Sequence, residues 1–298
     1  MNVIVTGAGG FLGRSIVDHL VRSGHEVTAV VRPGGAAVPF PAGVSVVRGD
    51  LRDRGDWRSG LPSQAIVVHA AAAAGGDRGF QLSNTVVATE RFLETLTGLD
   101  VRRLVHISSF SVYDYAGLEV GQELDESSPL EPAPRSRDAY TEAKLLQERL
   151  VRSWCEAIGL DALVLRPGAI VGPGKVWGCG VAFSVAGAAF VVAPGAAFPM
   201  ISVANCAEAV AKAAECSLTG IQTVNLVDDD LPTRRSYFRA CHDATGTRAP
   251  RLVPVPWRAL HTVGRALQST SDRFLDGRLR VPELLDAPRQ APRWKPLV

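Results

Sequence analysis

The chain has 298 residues and a formal net charge of +2; 46% of its residues are hydrophobic and 21% are charged. This is enough apolar material to bury a full α/β core and still leave a smaller second portion. The basic residues are scattered among acidic ones and form no stripe suited to a phosphate backbone, so we expect no nucleic-acid partner.

The first apolar run, Val3–Val5, is followed at once by a glycine-rich turn from Thr6 to Gly13 and then by helical spacing up to Arg22. Glycines in such a turn allow a positive φ, a close approach of backbone N–H groups to a pyrophosphate, and tight packing of helix on strand. The turn therefore predicts a bound dinucleotide. Because the apolar run begins so near Met1, we expect no signal peptide and a cytoplasmic protein.

Short apolar runs then alternate with helical patterns. The runs predict strands at Val3–Val5, Val27–Val31, Val44–Val47, Ile66–Val68, Leu104–Ile107 and Leu163–Leu165. The patterns predict helices at Phe11–Arg22, Leu82–Leu96 and Ala139–Ile158. This alternation predicts an α/β protein with a doubly wound parallel sheet of the Rossmann type, whose ligands bind at the carboxyl ends of the strands.

After Pro167 the pattern changes, because glycine and proline become frequent and the elements become shorter. We expect helices at Asn205–Ser217 and Arg234–Thr245, and strands at Thr223–Leu226 and Leu252–Val255. We therefore predict a dinucleotide-binding domain over residues 1–166 and a substrate-binding portion over residues 167–298, and one of the late strands could return to the main sheet.

One stretch, Val176–Ala207, contains no charged residue. Its length would permit a membrane span, but its glycines and prolines break it into pieces. We predict a buried wall or lid and no membrane contact. The cysteines show neither C-x-x-C pairs nor histidines at zinc-ligand spacing, so we expect buried, reduced thiols and no metal site; they are Cys155, Cys179, Cys206, Cys216 and Cys241.

A tyrosine and a lysine, Tyr140 and Lys144, lie four residues apart at the start of the longest helical pattern. One helical turn brings them onto the same face, where an ammonium group would favour the phenolate and make the phenol a usable acid and base. Alternatively, Tyr140 and Lys144 are an ordinary pair of side chains on the helix surface. Hydroxyl groups at the end of the predicted strand Leu104–Ile107 could meet a substrate carbonyl; they belong to Ser108, Ser109, Ser111 and Tyr113.

Together these pieces resemble the extended short-chain dehydrogenases/reductases, which include nucleotide-sugar epimerases, dehydratases and hydroxysteroid dehydrogenases. The resemblance rests on Thr6–Gly13, Gly49–Leu51, His69–Ala71, Ser108–Tyr113, Tyr140–Lys144, Leu165–Gly168 and Val171–Gly174. It implies that Tyr140 is the acid/base and that Lys144 tunes it and bonds the nicotinamide ribose. Ser109 takes the place of the hydroxyl that orients the substrate, with Ser108 and Ser111 as alternatives.

The resemblance also implies a set of cofactor-binding residues. Asp50 would accept a hydrogen bond from the adenine amine, and Asn84 falls near a helix-borne asparagine beside the cofactor, although its spacing to Ala88–Thr89 differs from the usual one. The full set is Gly7, Gly9, Gly10, Phe11, Leu12, Gly13, Arg32, Asp50, Leu51, Ala70, Ala71, Asn84, Tyr140, Lys144 and Pro167.

The choice between the two nicotinamide cofactors follows from charge. An acid at the end of the second strand would bond a ribose 2′-hydroxyl, whereas an arginine there suits a 2′-phosphate. This chain has Arg32 and no acid at that point. We therefore predict NADP, with NAD as the alternative.

The uncharged stretch suits an apolar substrate better than a nucleotide sugar. We predict an NADP-dependent oxidoreductase that acts on a ketone or secondary alcohol. Arg234 and Arg235 keep a nucleotide-sugar epimerase or dehydratase with bound NAD as the alternative. A non-catalytic nucleotide sensor is a further possibility, less favoured because both Tyr140 and Lys144 are present. Family members often dimerise through helices matching Leu82–Leu96 and Ala139–Ile158, so we expect a homodimer.

Overall fold

The computed structural model describes residues 1–35, 39–115, 117–118, 122–176, 183–185, 188–246, 250–255, 262, 266, 269, 273 and 293–294. The chain divides into two compact units that interleave along the sequence. The first contains Met1–Val112, Asp138–Ile170 and Ile201–Leu226, and the second contains the described residues of Tyr113–Arg137, Val171–Met200 and Val227–Val298. The division into these units has no single boundary after residue 166, because residues 201–226 belong to the first unit.

The strands, in chain order, are β1 (Asn2–Thr6), β2 (Glu26–Val31), β3 (Ser45–Arg48), β4 (Ala65–His69), β5 (Val101–Ile107), β6 (Glu123–Leu124), β7 (Ala162–Pro167), β8 (Ala169–Val171), β9 (Phe183–Val185), β10 (Ala188–Val192), β11 (Met200–Ser202), β12 (Ile221–Leu226), β13 (Arg251–Val255) and β14 (Arg293–Trp294). Seven of them form one sheet in the order β12-β7-β5-β4-β1-β2-β3. Every pairing in it is parallel. The doubly wound parallel sheet is thus confirmed, and the strand order reverses between β1 and β4.

The helices are α1 (Phe11–Arg22), α2 (Arg78–Gln81), α3 (Ala88–Leu96), α4 (Pro134–Arg137), α5 (Ala139–Ile158), α6 (Val203–Glu215) and α7 (Arg234–Thr245). A π-helical segment, Leu82–Val87, joins α2 to α3. The helix predicted over Leu82–Leu96 therefore begins earlier and contains a wider turn. The bounds of α1, α5 and α7 agree with the sequence prediction.

Local capping explains why α5 begins and ends where it does. The Asp138 side chain accepts a hydrogen bond from the backbone N–H of Thr141, so it caps the first turn. Gly159 ends the helix in the left-handed conformation, with φ of +66°. Because Asp138 sets the start of the helix, Tyr140 and Lys144 lie in its first two turns.

The central strands β1, β4 and β7 are buried on both faces, as their continuous apolar sequences require, whereas the edge strand β3 is largely exposed. Val3 and Val5 of β1 pack on the side of α1 and α6, whereas Ile4 packs on the side of α3 and α5. Among the described residues, no helix is both long and apolar enough to cross a membrane.

In the second unit, β9, β10 and β13 form a small sheet, and β6 pairs with β14. The strands β9, β10 and β11 come from the uncharged stretch that we predicted to be a wall or lid. Residues 177–182, 186 and 187 of that stretch lie outside the described residues, so this prediction is not tested over its whole length.

One expectation about the thiols is wrong, because Cys216 is exposed. It lies just after the last turn of α6, where the chain leaves the core. Cys155, Cys206 and Cys241 are buried, as expected, and Cys179 lies outside the described residues. Burial raises the pKa of the Cys155 thiol to about 12, which keeps this cysteine protonated and unreactive.

Candidate functional site

The turn between β1 and α1 is built so tightly that it requires glycine. Gly7 has φ of +68°, and a Cβ there would lie 2.9 Å from the backbone of Ala70 and Ala71 at the end of β4. A Cβ on Gly13 would overlap the carbonyl oxygen of Gly7. These close approaches bring the turn against the switch in strand order, where doubly wound sheets bind nucleotides.

The first turn of α1 presents backbone N–H groups suited to an anion. Gly10 is the N-cap residue, and no side chain of the described residues caps this end of the helix. Phe11 and Leu12 follow in the first turn without an acidic residue, and Arg14 Nε donates to the carbonyl oxygen of Gly9 at 3.0 Å. An uncapped helix start after a glycine turn fits the pyrophosphate of a dinucleotide.

Arg32 and Asn84, predicted separately from distant parts of the sequence, contact each other. Arg32 Nη2 donates to Asn84 Oδ1 at 3.1 Å, and Asn84 Nδ2 donates to the carbonyl oxygen of Phe80 at 2.9 Å. Asn84 lies in the π-helical segment, a kind of distortion that is frequent at functional sites. The guanidinium group is therefore held just beyond the end of β2, where a ribose 2′-group is expected.

Asp50, predicted to accept from the adenine amine, is engaged by Arg52. Arg52 Nη2 donates to Asp50 Oδ2 at 2.6 Å, and Nε donates to Oδ1 at 3.0 Å. This hydrogen-bonded pairing lowers the pKa of Asp50 to about 2, against the opposing effect of burial, so the carboxylate is charged at neutral pH. Leu51 packs partly buried against the core on the α3 and α5 side. The adenine contact remains a prediction.

The structure brings the serine and tyrosine of the candidate site together. Ser109 follows β5, and its side chain lies close enough to Tyr140 to lower the pKa of that phenol. The Ser109 hydroxyl oxygen also accepts from the backbone N–H of Ser111 at 3.1 Å, which fixes its position. Ser108, an alternative candidate, instead donates to Glu148 Oε2 at 2.6 Å and is buried. Ser109 is thus the hydroxyl placed beside the phenol.

The protonation of Tyr140 differs from our expectation. We predicted a pKa lowered by Lys144, but burial raises the pKa of Tyr140 and outweighs the lowering effect of nearby Ser109. Burial disfavours the charged phenolate because it removes water from around the group. In this structure Tyr140 is therefore a protonated phenol at neutral pH, ready to donate rather than accept.

Lys144 is buried and held by two acceptors. Its Nζ donates to the carbonyl oxygen of Ile107 at 2.7 Å and to Gln147 Oε1. Burial lowers the pKa of Lys144 to about 7, although the charge of Glu148 acts in the opposite direction. Near neutral pH this amine can therefore be charged or neutral, which is unusual for a lysine.

A buried ion pair behind the site was missed by the sequence analysis. Arg166 on β7 binds Glu148 on α5 through two hydrogen bonds, Nη2 to Oε1 at 2.6 Å and Nε to Oε2 at 3.2 Å. Arg152 adds a third bond to Glu148 at 3.1 Å. The sequence did contain a signal for this ion pair, since Glu148 lies one turn beyond Lys144 and Arg166 belongs to one of the family motifs. Pro167 follows at the buried end of β7.

The sequence analysis also did not predict that two buried histidines contact each other. His69 on β4 and His106 on β5 are register partners, and their rings stack at 5.6 Å. Burial, together with the charge of Lys144, lowers the pKa of both rings, that of His69 to about 3. Both histidines are neutral at physiological pH, so they add no charge behind the site.

Comparison with known proteins gives the family. The model of the NAD dependent epimerase/dehydratase family matches residues 3–188. Sterol demethylase protein B of Methylococcus capsulatus is 35% identical over 179 residues, which are 58% of this chain and 52% of that protein. A 2-alkyl-3-oxoalkanoate reductase of Shewanella oneidensis is 30% identical over 180 residues, 59% of this chain and 45% of that protein. The match thus spans about half the length of these curated relatives.

A solved structure, UDP-glucose 4-epimerase of Thermus thermophilus in complex with NAD, is similar over most of the chain. It superposes with a TM-score of 0.66 at 25% identity and covers 85% of this chain and 86% of that one. The curated relatives extend the likeness to reductases, while the structural likeness is to an epimerase. Proteins similar to this chain therefore include enzymes named for different reactions.

Proposed function

Because the chain belongs to the NAD-dependent epimerase/dehydratase family, we propose that it is an NADP-dependent oxidoreductase. Its reaction is hydride transfer between the nicotinamide and a ketone or secondary alcohol on a largely apolar substrate. The observation that carries this proposal is that Ser109 lies close enough to the protonated phenol of Tyr140 to influence its pKa, one helical turn from buried Lys144.

The roles of the residues follow from their protonation and placement. When bound, the cofactor supplies a hydride to the carbonyl carbon. Tyr140 donates its phenolic proton to the carbonyl oxygen, and Ser109 donates a second hydrogen bond to the same oxygen. Lys144, when charged, stabilises the phenolate that remains. The raised pKa of Tyr140 favours the proton donor that reduction requires.

Two observations support an apolar ketone. The uncharged stretch Val176–Ala207 offers few groups that could pair with sugar hydroxyls. In addition, one of the curated relatives is named as a reductase of 2-alkyl-3-oxoalkanoates. An apolar wall favours substrates that lose little hydration on binding.

The proposal is tested by following NADPH absorbance while the purified protein is offered aryl ketones, long-chain 3-oxoalkanoates and steroid ketones, with UDP-glucose and dTDP-glucose as the comparison set. We expect NADPH consumption with at least one ketone. Inversion of a sugar carbon without net cofactor consumption, together with no ketone reduction, would contradict it.

A nucleotide-sugar epimerase is the second candidate, since the solved epimerase structure covers most of this chain. Arg234, at the start of α7, has a partly buried guanidinium group whose pKa is lowered by that burial. A cation at this point could face a diphosphate. The sugar-nucleotide arm of the same panel decides between the two candidates.

The preference for NADP rests on Arg32. Its guanidinium group is oriented by Asn84, and no acidic residue occupies the end of β2. An oriented guanidinium group can form two charge-assisted hydrogen bonds with a phosphate. We infer that Arg32 clamps the 2′-phosphate.

Replacing Arg32 with alanine should weaken NADP+ binding by roughly 10- to 100-fold and leave NAD+ binding almost unchanged, because the charge-assisted hydrogen bonds to the 2′-phosphate are lost. The measurement is calorimetric titration of both cofactors. Arg102→Ala is the matched control, since Arg102 is exposed and bonds only Gln64 in the described structure. An unchanged NADP+ to NAD+ affinity ratio in Arg32→Ala would rule out this role.

We also propose a homodimer formed through the helices around the π-helical segment. Phe80 and Val87, in α2 and the π-helical segment, are 49% and 39% exposed and could supply apolar contacts to a second copy. Sedimentation velocity should show a dimer for the wild type and a monomer for Val87→Arg. A monomeric wild-type protein would contradict this.

A cytoplasmic location is likewise a proposal. It is supported by the described cysteines Cys155, Cys206, Cys216 and Cys241, which form no disulfide with one another, as suits a reducing compartment. Fractionation of cells that express the tagged protein tests it, and recovery in an exported fraction would contradict it.

A further inference from the structure

Gln147 links the lysine of the candidate site to the buried interior. Its side chain is fully buried on α5, three residues after Lys144. Its amide oxygen accepts from Lys144 Nζ, and its amide nitrogen donates to the carbonyl oxygen of Ala71 at 2.9 Å and to Thr89 Oγ1 at 2.8 Å. One side chain thus touches the lysine, the end of β4 and the helix α3.

The orientation of this amide is determined by its partners. The carbonyl oxygen of Ala71 can only accept, so the NH2 group of Gln147 must face it. The ammonium group of Lys144 can only donate, so the amide oxygen must face that side. If the amide were flipped, its oxygen would face the carbonyl oxygen of Ala71 and its NH2 group would face the ammonium group of Lys144.

The hydrogen bonds around Gln147 continue to β4 and β1. Thr89 donates its hydroxyl proton to the carbonyl oxygen of Thr85 at 2.7 Å. His69 Nε2 lies 2.9 Å from Thr89 Oγ1 and 3.2 Å from the amide nitrogen of Gln147, and His69 Nδ1 is hydrogen-bonded to the hydroxyl of Thr6 at 2.8 Å. The His69 ring is neutral, in agreement with its lowered pKa, so one of its nitrogens donates and the other accepts.

We propose that Gln147 is a positioning residue that holds the ammonium group of Lys144 against the carbonyl oxygen of Ile107, and so keeps the lysine in one place one helical turn from Tyr140. The inference rests on the proposed function, in which Lys144 acts together with Tyr140. Gln147 itself touches neither the cofactor nor the substrate in this role, because it acts through the lysine.

The surroundings of Lys144 make its titration a sensitive probe of this contact. Its titratable and charged neighbours are Tyr140 and Glu148 on α5, His69 on β4, His106 on β5, and Arg166 on β7 through its pair with Glu148. The histidines are neutral, and Glu148 is shared with Arg166. The uncharged Gln147 oxygen is therefore a direct acceptor that stabilises the charged lysine at this depth.

The test uses the full chain, which contains only four lysines, Lys144, Lys175, Lys212 and Lys295. Lysine labelled with 13C at Cε is incorporated, and the signals are followed by NMR from about pH 5 to about pH 11. The Lys144 signal is assigned by its absence in Lys144→Met. Lys212, exposed on α6, serves as the internal control.

We expect the wild-type Lys144 signal to titrate near pH 7. In Gln147→Met the acceptor is lost, so the titration should move lower; in Gln147→Glu a carboxylate replaces it, so the titration should rise by roughly one to three pH units. The Lys212 signal should not change. If the Lys144 signal of Gln147→Met titrated at the same pH as in the wild type, the proposal would be overturned. If Gln147→Met does not fold, an unchanged titration of Lys144 in Gln147→Glu would overturn it instead.

Activity separates this inference from the proposed function. With the ketone chosen from the panel, Gln147→Met should lower kcat about tenfold, shift its pH profile and leave KM nearly unchanged, since positioning of an acid/base pair is affected rather than binding. Full ketone reduction by Tyr140→Phe would refute the proposed function, whereas the NMR titration needs no turnover and still decides whether Gln147 holds Lys144.

Discussion

Tyr140→Phe is expected to lower kcat for ketone reduction by roughly 100- to 10,000-fold, because the variant lacks the proton that the carbonyl oxygen must receive. Cofactor affinity should stay within about twofold, since the phenyl ring keeps its place in the first turn of α5. The measurements are the steady-state rate with the selected ketone and calorimetric binding of NADP+. Retained turnover would show that Tyr140 is not the proton donor.

The matched control for this variant is Tyr237→Phe. The hydroxyl of Tyr237 donates to the carbonyl oxygen of Val176 at 2.8 Å, so its removal also deletes one phenolic hydrogen bond. Tyr237 lies on α7 in the second unit, whereas Ser109 and Lys144 belong to the first. A large loss of kcat in Tyr140→Phe together with a small one in Tyr237→Phe would assign the effect to proton transfer.

Glu148→Gln should lower the free energy of unfolding by roughly 3–5 kcal/mol at neutral pH, because it leaves the Arg166 guanidinium group buried without its counter-charge. Both side chains are nearly inaccessible, 4% exposed for Arg166 and 2% for Glu148. Urea unfolding of the two proteins measures the difference. Since Ser108 also donates to Glu148, the segment after β5 that contains Ser109 should become less ordered as well.

The pH dependence of this effect has a definite sign. Burial raises the pKa of Glu148, but the hydrogen bonds and charges of Arg166, Ser108 and Arg152 outweigh it, so the folded pKa lies below the ordinary value of 4.5. A lowered folded pKa stabilises the protein above the unfolded pKa, and this stabilisation is lost as the pH falls through the folded one. The difference between wild type and Glu148→Gln should therefore shrink as the pH falls below about 4.5.

Two further variants sharpen the test. Glu208→Gln removes an exposed partner of Lys212 on α6 and should leave unfolding unchanged. The double variant Glu148→Leu/Arg166→Met should lose less stability than Glu148→Gln alone, because apolar side chains of similar volume remove both buried charges together. A double variant that is less stable than the single one would contradict this account of the pair.

Much of the architecture was predictable because it depends on local patterns. The bounds of α1, α5 and α7 were predicted correctly, and the six early strands were placed within a few residues. Apolar periodicity and capping residues such as Asp138 and Gly159 act over a few positions, so they can be recognised without knowledge of the rest of the chain.

The pairing of polar side chains was not predictable in the same way. The contact between Arg32 and Asn84 joins residues 52 positions apart, and that between Arg52 and Asp50 uses an acid that the family resemblance assigned to adenine. Several polar side chains compete for each partner, and only the packed backbone decides which are within hydrogen-bond distance. The cofactor roles of these residues remain predictions.

The sequence by itself determined the parallel sheet, the glycine turn that Gly7 and Gly13 make possible, and the helical register that puts Tyr140 and Lys144 on one face. Only the tertiary structure decided the protonation of that pair, because burial raises the pKa of Tyr140 and lowers that of Lys144 to about 7. A pKa depends on how much water and which charges surround a group, and those neighbours come from β4, β5 and β7 as well as from α5. Spacing along a helix specifies which side chains can meet, whereas the packed sheet beneath them sets the charge they carry.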